Sequence, residues 1–421
     1  MERRSLRICV ILFLAFPLYS AAGEDERSSS WKAGSATVKI TPERALYMAG
    51  YAARKEPAEG TEQELFGKAV ALDDGAGNRV VFVTLDLIGV NEELRSGVAA
   101  EVEKRFALPP GALLMNASHT HCGPAYGRDD AKDYFESLQQ KLVALVGLSL
   151  ERLQPATLSY SFARASVAMN RRTPSATGYR NHPNPEGLVD HAVPVLSVRD
   201  PEEGTLRTVV FGYACHNTTM GFRKWLGDYA GYAQEYFEKD HPGVTALFMM
   251  GCGGDQNPYP RSELKYARMH GRTLATAVEA AIEVNQRTPR HQREVHGPLR
   301  YALETVELEF ATPDRPDFPY PVQVIRFGDD LLLIALGNEV VVDYSLRLKH
   351  ELTQPEGPAV WVAGYSNVYS GYIPSRRVLL EGGYEAKSRP WKPSLEERII
   401  GKVHELVGRV NSKVAVGAET D

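Results

Sequence analysis

Several times along this chain a short apolar run breaks off into a loop carrying polar chemistry. Ala112-Leu113-Leu114-Met115-Asn116-Ala117 runs into Ser118-His119-Thr120-His121-Cys122-Gly123-Pro124. Residues 206–214 run into Cys215-His216-Asn217-Thr218, and residues 244–250 into Gly251-Cys252-Gly253-Gly254-Asp255-Gln256-Asn257-Pro258. Residues 359–363 lead into a glycine- and tyrosine-rich stretch over 364–384. Apolar runs this short, bounded by turn formers, have the length of buried strands. Between them lie helical patterns: Asn91 caps residues up to about 106 with Val98, Val102 and Phe106 on one face, Tyr134, Leu138, Leu142 and Leu145 share another, and residues 262–284 form a long third. The mixture predicts an α/β fold on a mixed sheet, a single catalytic domain with its active site assembled at strand ends.

Other segments fill in the frame. Residues 36–40 read as a short strand. Residues 66–72 and 80–87 form a hairpin across Asp73-Asp74-Gly75-Ala76-Gly77-Asn78, and residues 322–327 and 331–336 another across Gly328-Asp329-Asp330. Gly337-Asn338-Glu339 leads into a helix through about residue 350, and Ser394 with Glu397 spells a capping box for a last helix burying Ile399, Val403 and Leu406. At the amino end Arg3, Arg4 and Arg7 precede an apolar stretch over 8–18 and the small residues Ser20-Ala21-Ala22. This predicts a secretory signal peptide over 1–22, hence a secreted or periplasmic protein, then an unstructured leader over 23–34, a folded domain over 35–412 and a flexible tail over 413–421. Net charge is −5 with no basic run, which argues against nucleic-acid binding.

The histidines carry the chemistry. Alternation in a strand puts residues two apart on one side, so His119 and His121 are expected to point at one spot. Neutral imidazoles on a stiff backbone are zinc ligands and proton carriers, and His216 lies at a second strand end. Glu339 offers a carboxylate for a zinc set of two histidines and an acid, although on spacing alone it reads as a helix-start residue favoured by the macrodipole. With Cys9 lost in the signal peptide, Cys122, Cys215 and Cys252 remain. Thiolate ligation or a Cys–His nucleophile is conceivable, a Cys215–Cys252 bridge is open, and the reading favoured is small residues packing behind the loops. The glycine run 251–254 permits close backbone approach to a substrate but lacks the Lys-Ser/Thr of a phosphate loop. A second metal near Asp86 or Asp255 stays open.

Met48-Ala49-Gly50-Tyr51, Ser118-His119-Thr120-His121-Cys122-Gly123-Pro124, Ala214-Cys215-His216-Asn217-Thr218, Gly254-Asp255-Gln256-Asn257-Pro258 and Ser366-Asn367-Val368-Tyr369-Ser370-Gly371-Tyr372 occur in that order. Together they resemble the motifs of the neutral/alkaline non-lysosomal ceramidases, over about residues 33–410. The resemblance implies the fold of that family's N-terminal catalytic domain and a zinc amidase that cleaves the N-acyl bond of ceramide. It implies Zn2+ bound by His119, His216, Glu339 and Tyr372, with His121 as acid/base and Tyr384 stabilising the oxyanion. It also implies Arg171 orienting substrate, with Arg172 as the alternative, and Gly50 lining the pocket. Asn257 stands where the family carries a serine, so hydrolysis is expected to use zinc-activated water, and no C-terminal immunoglobulin-like sandwich is expected. Partners follow: a lipid or small-molecule substrate, contact with a membrane surface through that substrate, and no obligate protein partner. Two alternatives are a zinc hydrolase or deacetylase of another acylated compound, such as an acylated sugar, and a non-catalytic binding protein of the same fold.

Overall fold

The computed structural model describes residues 31–288 and 293–412. The expected signal peptide, residues 23–30 of the expected leader and the tail over 413–421 lie outside the described residues. The fold is mixed α/β. Its main sheet runs, edge to edge, Thr245–Met250, Leu206–Tyr213, Ala192–Arg199, Gln154–Arg164, Trp31–Lys39, Phe66–Asp73, Arg79–Leu85, Leu113–Ala117, with Arg293–Val295 joining at Gln154–Arg164. A second sheet orders Leu299–Leu308, Phe318–Phe327, Leu331–Leu336 and Ala359–Ala363.

Within these two sheets three pairs of neighbouring strands run parallel: Arg79–Leu85 with Leu113–Ala117, Leu206–Tyr213 with Thr245–Met250, and Leu331–Leu336 with Ala359–Ala363. Parallel neighbours release their loops at the same sheet end. Two of these strands, Leu113–Ala117 and Leu331–Leu336, are buried at every residue, and the other four from their second or third residue on, as strands covered on both faces require. Asn116, wholly buried in one apolar run, ties the sheet's edge strands together. Its side-chain amide donates to the carbonyls of Met250 (3.2 Å) and Gly364 (2.7 Å), and its oxygen accepts from the Met250 N–H (2.7 Å).

Four expectations are corrected. The first strand begins at Trp31, inside the stretch assigned to the leader, because Trp31 buries its ring and donates its indole N–H to Val295 (2.7 Å). The helix after Glu339 starts at Val342, and Glu339 sits instead in a two-residue strand, Glu339–Val340, paired with Tyr372–Ile373. The capping box at Ser394 does not form: Ser394 is helical in backbone and makes no side-chain cap bond. Glu397 pairs with Arg347 rather than folding back. Lastly, strands over residues 154–199 and the helix Asp228–Asp240 were not expected. Pro194 reads against a central strand there, but the pairing of Ala192–Arg199 with Leu206–Tyr213 reaches only to Val195, so its missing N–H leaves no gap on that side. Among the described residues no helix is long and apolar enough to cross a membrane.

The cap at Asn91 does form, its side-chain oxygen accepting from the Leu94 N–H at 2.9 Å. Replacing Asn91 by alanine should cost about 1 kcal/mol in denaturant unfolding. Ser394→Ala should cost less than about 0.5 kcal/mol, and an equal loss at both positions would contradict these geometries.

Candidate metal centre

Loops from all three parallel pairs meet at one buried cluster. The strand ends at Ala117, and His119 takes a left-handed backbone (φ 60°), so strand alternation is not what aims its ring. A hydrogen bond does: His119 Nδ1 donates to the Ile88 carbonyl at 2.6 Å. His216 is held the same way, Nδ1 donating to the Gly253 carbonyl at 2.7 Å. A carbonyl only accepts, so both rings carry their proton on Nδ1 and turn a bare Nε2 lone pair inward. Glu339 meets both: its Oε2 stands 3.3 Å from His119 Nε2 and 3.1 Å from His216 Nε2. Tyr372, its register partner in the short parallel bridge, places its hydroxyl 3.3 Å from His216 Nε2. His121 Nε2 lies 3.1 Å from His119 Nε2. The donor nitrogens of His119, His121 and His216 all fall within 4.8 Å of one another, and they form the one such group of three metal donors among the described residues.

These spacings are a test of fit. Donors at ~2.0–2.1 Å from a tetrahedral ion stand about 3.3 Å from each other. Arg171 Nη1 already donates toward His216 Nε2 at 3.3 Å, and the remaining inward lone pairs with the Glu339 carboxylate suit a cation placed among them. The protonation states agree. Burial, reinforced by Arg171, brings His216 down to about 4. Burial and the two other imidazoles push His121 well below the usual histidine range.

Arg171 closes one side. It donates to Tyr372 Oη (3.0 Å), Asn257 Oδ1 (3.3 Å) and Glu385 Oε1 (2.9 Å), and its guanidinium approaches the rings of Tyr372 and Tyr384. Burial raises the Tyr372 phenol strongly, and Arg171 pulls the other way, toward the phenolate a metal would want. Arg172 turns away, to Glu385, Glu381 and the Gly382 carbonyl, so Arg171 is the arginine of the cluster. Tyr384 stacks edge-on over Tyr372 at 5.4 Å and is 55% exposed, which places it at the mouth. Gly50 (φ +95°) packs on His121 so closely that a Cβ would lie 2.4 Å from the ring.

Sequence reasoning missed Glu385, which bridges Arg171 and Arg172, and Tyr369, whose hydroxyl donates to Glu339 Oε1 at 3.3 Å. It also missed Asn367, left-handed at φ 62°, which accepts from buried Arg95 and from the Met115 N–H. A signal for Asn367 existed, since asparagine favours that backbone; none existed for Glu385. The cysteines are buried free thiols, unbridged, and burial raises Cys122 to about 12, which makes nucleophiles of them no longer tenable. Asp86 and Asp255 are buried hydrogen-bond acceptors, Asp86 from the Phe66 N–H and Asp255 from the Val342 N–H and Asn170.

The chain belongs to the neutral/alkaline non-lysosomal ceramidase family, whose N-terminal domain profile matches residues 31–258. That stretch holds His119, His121, Arg171, His216 and Asn257; Glu339, Tyr372 and Tyr384 lie beyond it. Neutral ceramidase A of Dictyostelium discoideum is 25% identical over 52% of this chain and 33% of its own length. Neutral ceramidase B of the same organism is 26% identical over 55% and 36%. The match thus spans about a third of these relatives. The crystal structure of neutral ceramidase from Pseudomonas aeruginosa shares the fold, with a TM-score of 0.77 at 19% identity, covering 93% of this chain and 77% of that one. A structure of ceramidase complexed with C2 gives 0.74 at 18% identity.

Calorimetric titration of the metal-free protein with a divalent first-row ion should show one ion per chain, weakened by at least about a hundredfold in His119→Ala or His216→Ala. Protons compete for imidazole below its pKa, so with His216 near 4 affinity should persist at pH 5 and collapse as the pH falls through 4. Loss near pH 6.5 would contradict the burial argument.

Proposed function

We propose that the chain is a secreted or periplasmic zinc-dependent hydrolase that cleaves N-acylsphingosine to fatty acid and sphingosine. The observation that carries this is a carboxylate oxygen facing two inward lone pairs with a third, neutral imidazole alongside. The relatives named above are neutral ceramidases, which supports ceramide as the substrate.

His119, His216, Glu339 and Tyr372 would hold the ion. When bound, zinc supplies Lewis acidity and makes water a competent nucleophile near neutral pH. His121 stays out of the ligand set and acts as the base. Its Nδ1 is buried without a partner, and burial keeps the ring neutral, with one nitrogen able to accept a proton. It takes a proton from the attacking water as the new C–O bond forms, and returns it to the amine nitrogen as the C–N bond breaks. Tyr384 donates its hydroxyl hydrogen to the carbonyl oxygen as that atom gains charge, and Arg171 orients the substrate beside it. Asn257 accepts from Arg171 and supplies no nucleophile, so no acyl-enzyme forms.

Mature protein loaded with zinc should release fatty acid from a fluorescent N-acylsphingosine, and a chelator should abolish the release. His121→Ala should lower kcat by about 10²–10⁴-fold with metal content unchanged. No release by protein shown to hold zinc would remove ceramide as substrate, and full activity in His121→Ala would remove that residue as the base.

A further inference from the structure

The stretch Asn367-Val368-Tyr369-Ser370-Gly371-Tyr372 brings Tyr372 to the metal centre, and its Asn367 ties strands together behind it. Tyr369 lies between the two in a closely built setting. The Val368 carbonyl accepts from the Asn338 N–H at 2.8 Å, and the Ser370 N–H donates to Asn338 Oδ1 at 2.7 Å. Both chain neighbours of Tyr369 are thus fastened to the residue before Glu339. Glu339 in turn donates its own N–H to the Gly371 carbonyl at 3.0 Å. The side chain is seated as firmly. Its ring lies on Gly89, where a Cβ would stand 2.1 Å from it, so the approach requires glycine. Tyr126 donates to the Gly89 carbonyl at 2.7 Å, which holds the surface under the ring. On another side the ring of His119 stands 5.6 Å away, centroid to centroid.

This packing delivers the Tyr369 hydroxyl to Glu339 Oε1 at 3.3 Å. The two oxygens of Glu339 therefore have separate partners. Oε2 faces His119 Nε2 and His216 Nε2 at 3.3 and 3.1 Å, while Oε1 accepts from Tyr369. A carboxylate beside an ion binds through one oxygen or through both. Binding through both fills a position that a catalytic ion must leave open for water. The hydrogen bond opposes that change. Turning Oε1 inward draws it off a hydroxyl whose ring, resting on Gly89, cannot follow.

We infer that Tyr369 is a positioning residue of the metal centre: it holds back Oε1 and so makes Glu339 a one-oxygen ligand. The inference rests on the reading of Glu339 as a ligand and is independent of which acylated amine is cleaved. His119, His216 and Tyr372 each offer a single atom. Glu339 is the member of the set that can offer one donor or two, and Tyr369 fixes the number. The role is carried through another residue, so Tyr369 itself touches neither the ion nor the reacting atoms.

Cobalt(II) in place of zinc reads the number of donors, because its visible absorption weakens as ligands are added. Tyr369→Phe keeps the ring on Gly89 and removes the hydroxyl alone. Titrated with cobalt, this variant should still take one ion per chain, with a visible band weaker than that of the unaltered protein. Loaded with zinc and given the fluorescent N-acylsphingosine, it should lose about 10–100-fold in kcat with KM little changed. A role in packing alone predicts another pattern, in which Tyr369→Phe matches the unaltered protein and Tyr369→Leu, which loses the ring, is impaired. The cobalt spectrum decides. An unchanged band in Tyr369→Phe would overturn the proposal. Loss of the ion from that variant would overturn it too, since Tyr369 would then be holding the metal rather than limiting its donors. Unaltered protein that binds no cobalt would remove the metal centre and this role with it. Unaltered protein that binds cobalt yet cleaves no amide would count against the hydrolase reading alone, and the spectral comparison would still decide the role of Tyr369.

Discussion

Two backbone carbonyls decide what the histidines of this protein can do. Ile88 and Gly253 each take the Nδ1 proton of a ring, and in doing so they fix its tautomer, its orientation and the inward direction of its lone pair. The arrangement repeats because the topology repeats. His119 follows one strand of a parallel pair and Ile88 follows the other; His216 and Gly253 stand in the same relation on the second pair. The third pair uses the same device with a difference, since the loops leaving it pair briefly with each other and bring Glu339 level with Tyr372. Parallel strands deliver their loops together, and here each delivery consists of a donor and the group that aims it.

Such a cluster is costly to bury. Glu339, three imidazoles and Arg171 are taken out of water together, and an ion pair in that setting recovers its desolvation only with close geometry and full hydrogen bonding. Arg171 meets that demand, with Glu385, Asn257 and Tyr372 each accepting from it. Of the inward lone pairs, that of His216 faces Arg171 Nη1 at 3.3 Å, and a cation bound among the rest would couple metal affinity to folding stability. Asn116 and Asn367 serve the same end from behind by joining strands whose loops must stay in register, at positions where a slip would move every donor.

Much of this was legible. The buried strands at 113–117, 206–213 and 245–250 announce themselves as apolar runs, and the histidines that end two of them announce the site. What the sequence hides is whatever depends on a partner far along the chain. His119 reaches the site through a left-handed turn, so strand alternation led to the right neighbours for a wrong reason. Glu339 reads as a helix start because local pattern contains no trace of Tyr372, thirty-three residues on. Glu385 carries no local signal; its meaning lies in two arginines more than two hundred residues earlier. Ser394 shows the converse, a local motif overruled because Arg347 claims Glu397 first.

Asn257 bears on how the chemistry is divided among these groups. A serine there would offer a short hydroxyl, able to donate and to attack; asparagine offers a longer side chain and a carbonyl oxygen that accepts. Arg171 needs acceptors, because a guanidinium has donors alone, and Asn257 supplies one in line with Tyr372 and Glu385. Asparagine at this position thus gives the arginine an acceptor and supplies no nucleophile. On the proposed reading, attack then falls to water, and the proton it sheds falls to His121, the one imidazole of the three whose ring nitrogens are not tied to a backbone carbonyl. A ring that must accept and return a proton cannot also be fixed by a carbonyl at Nδ1 in one tautomer. The same bond that makes His119 and His216 good ligands would make them poor bases, and its absence at His121 fits that residue to proton transfer.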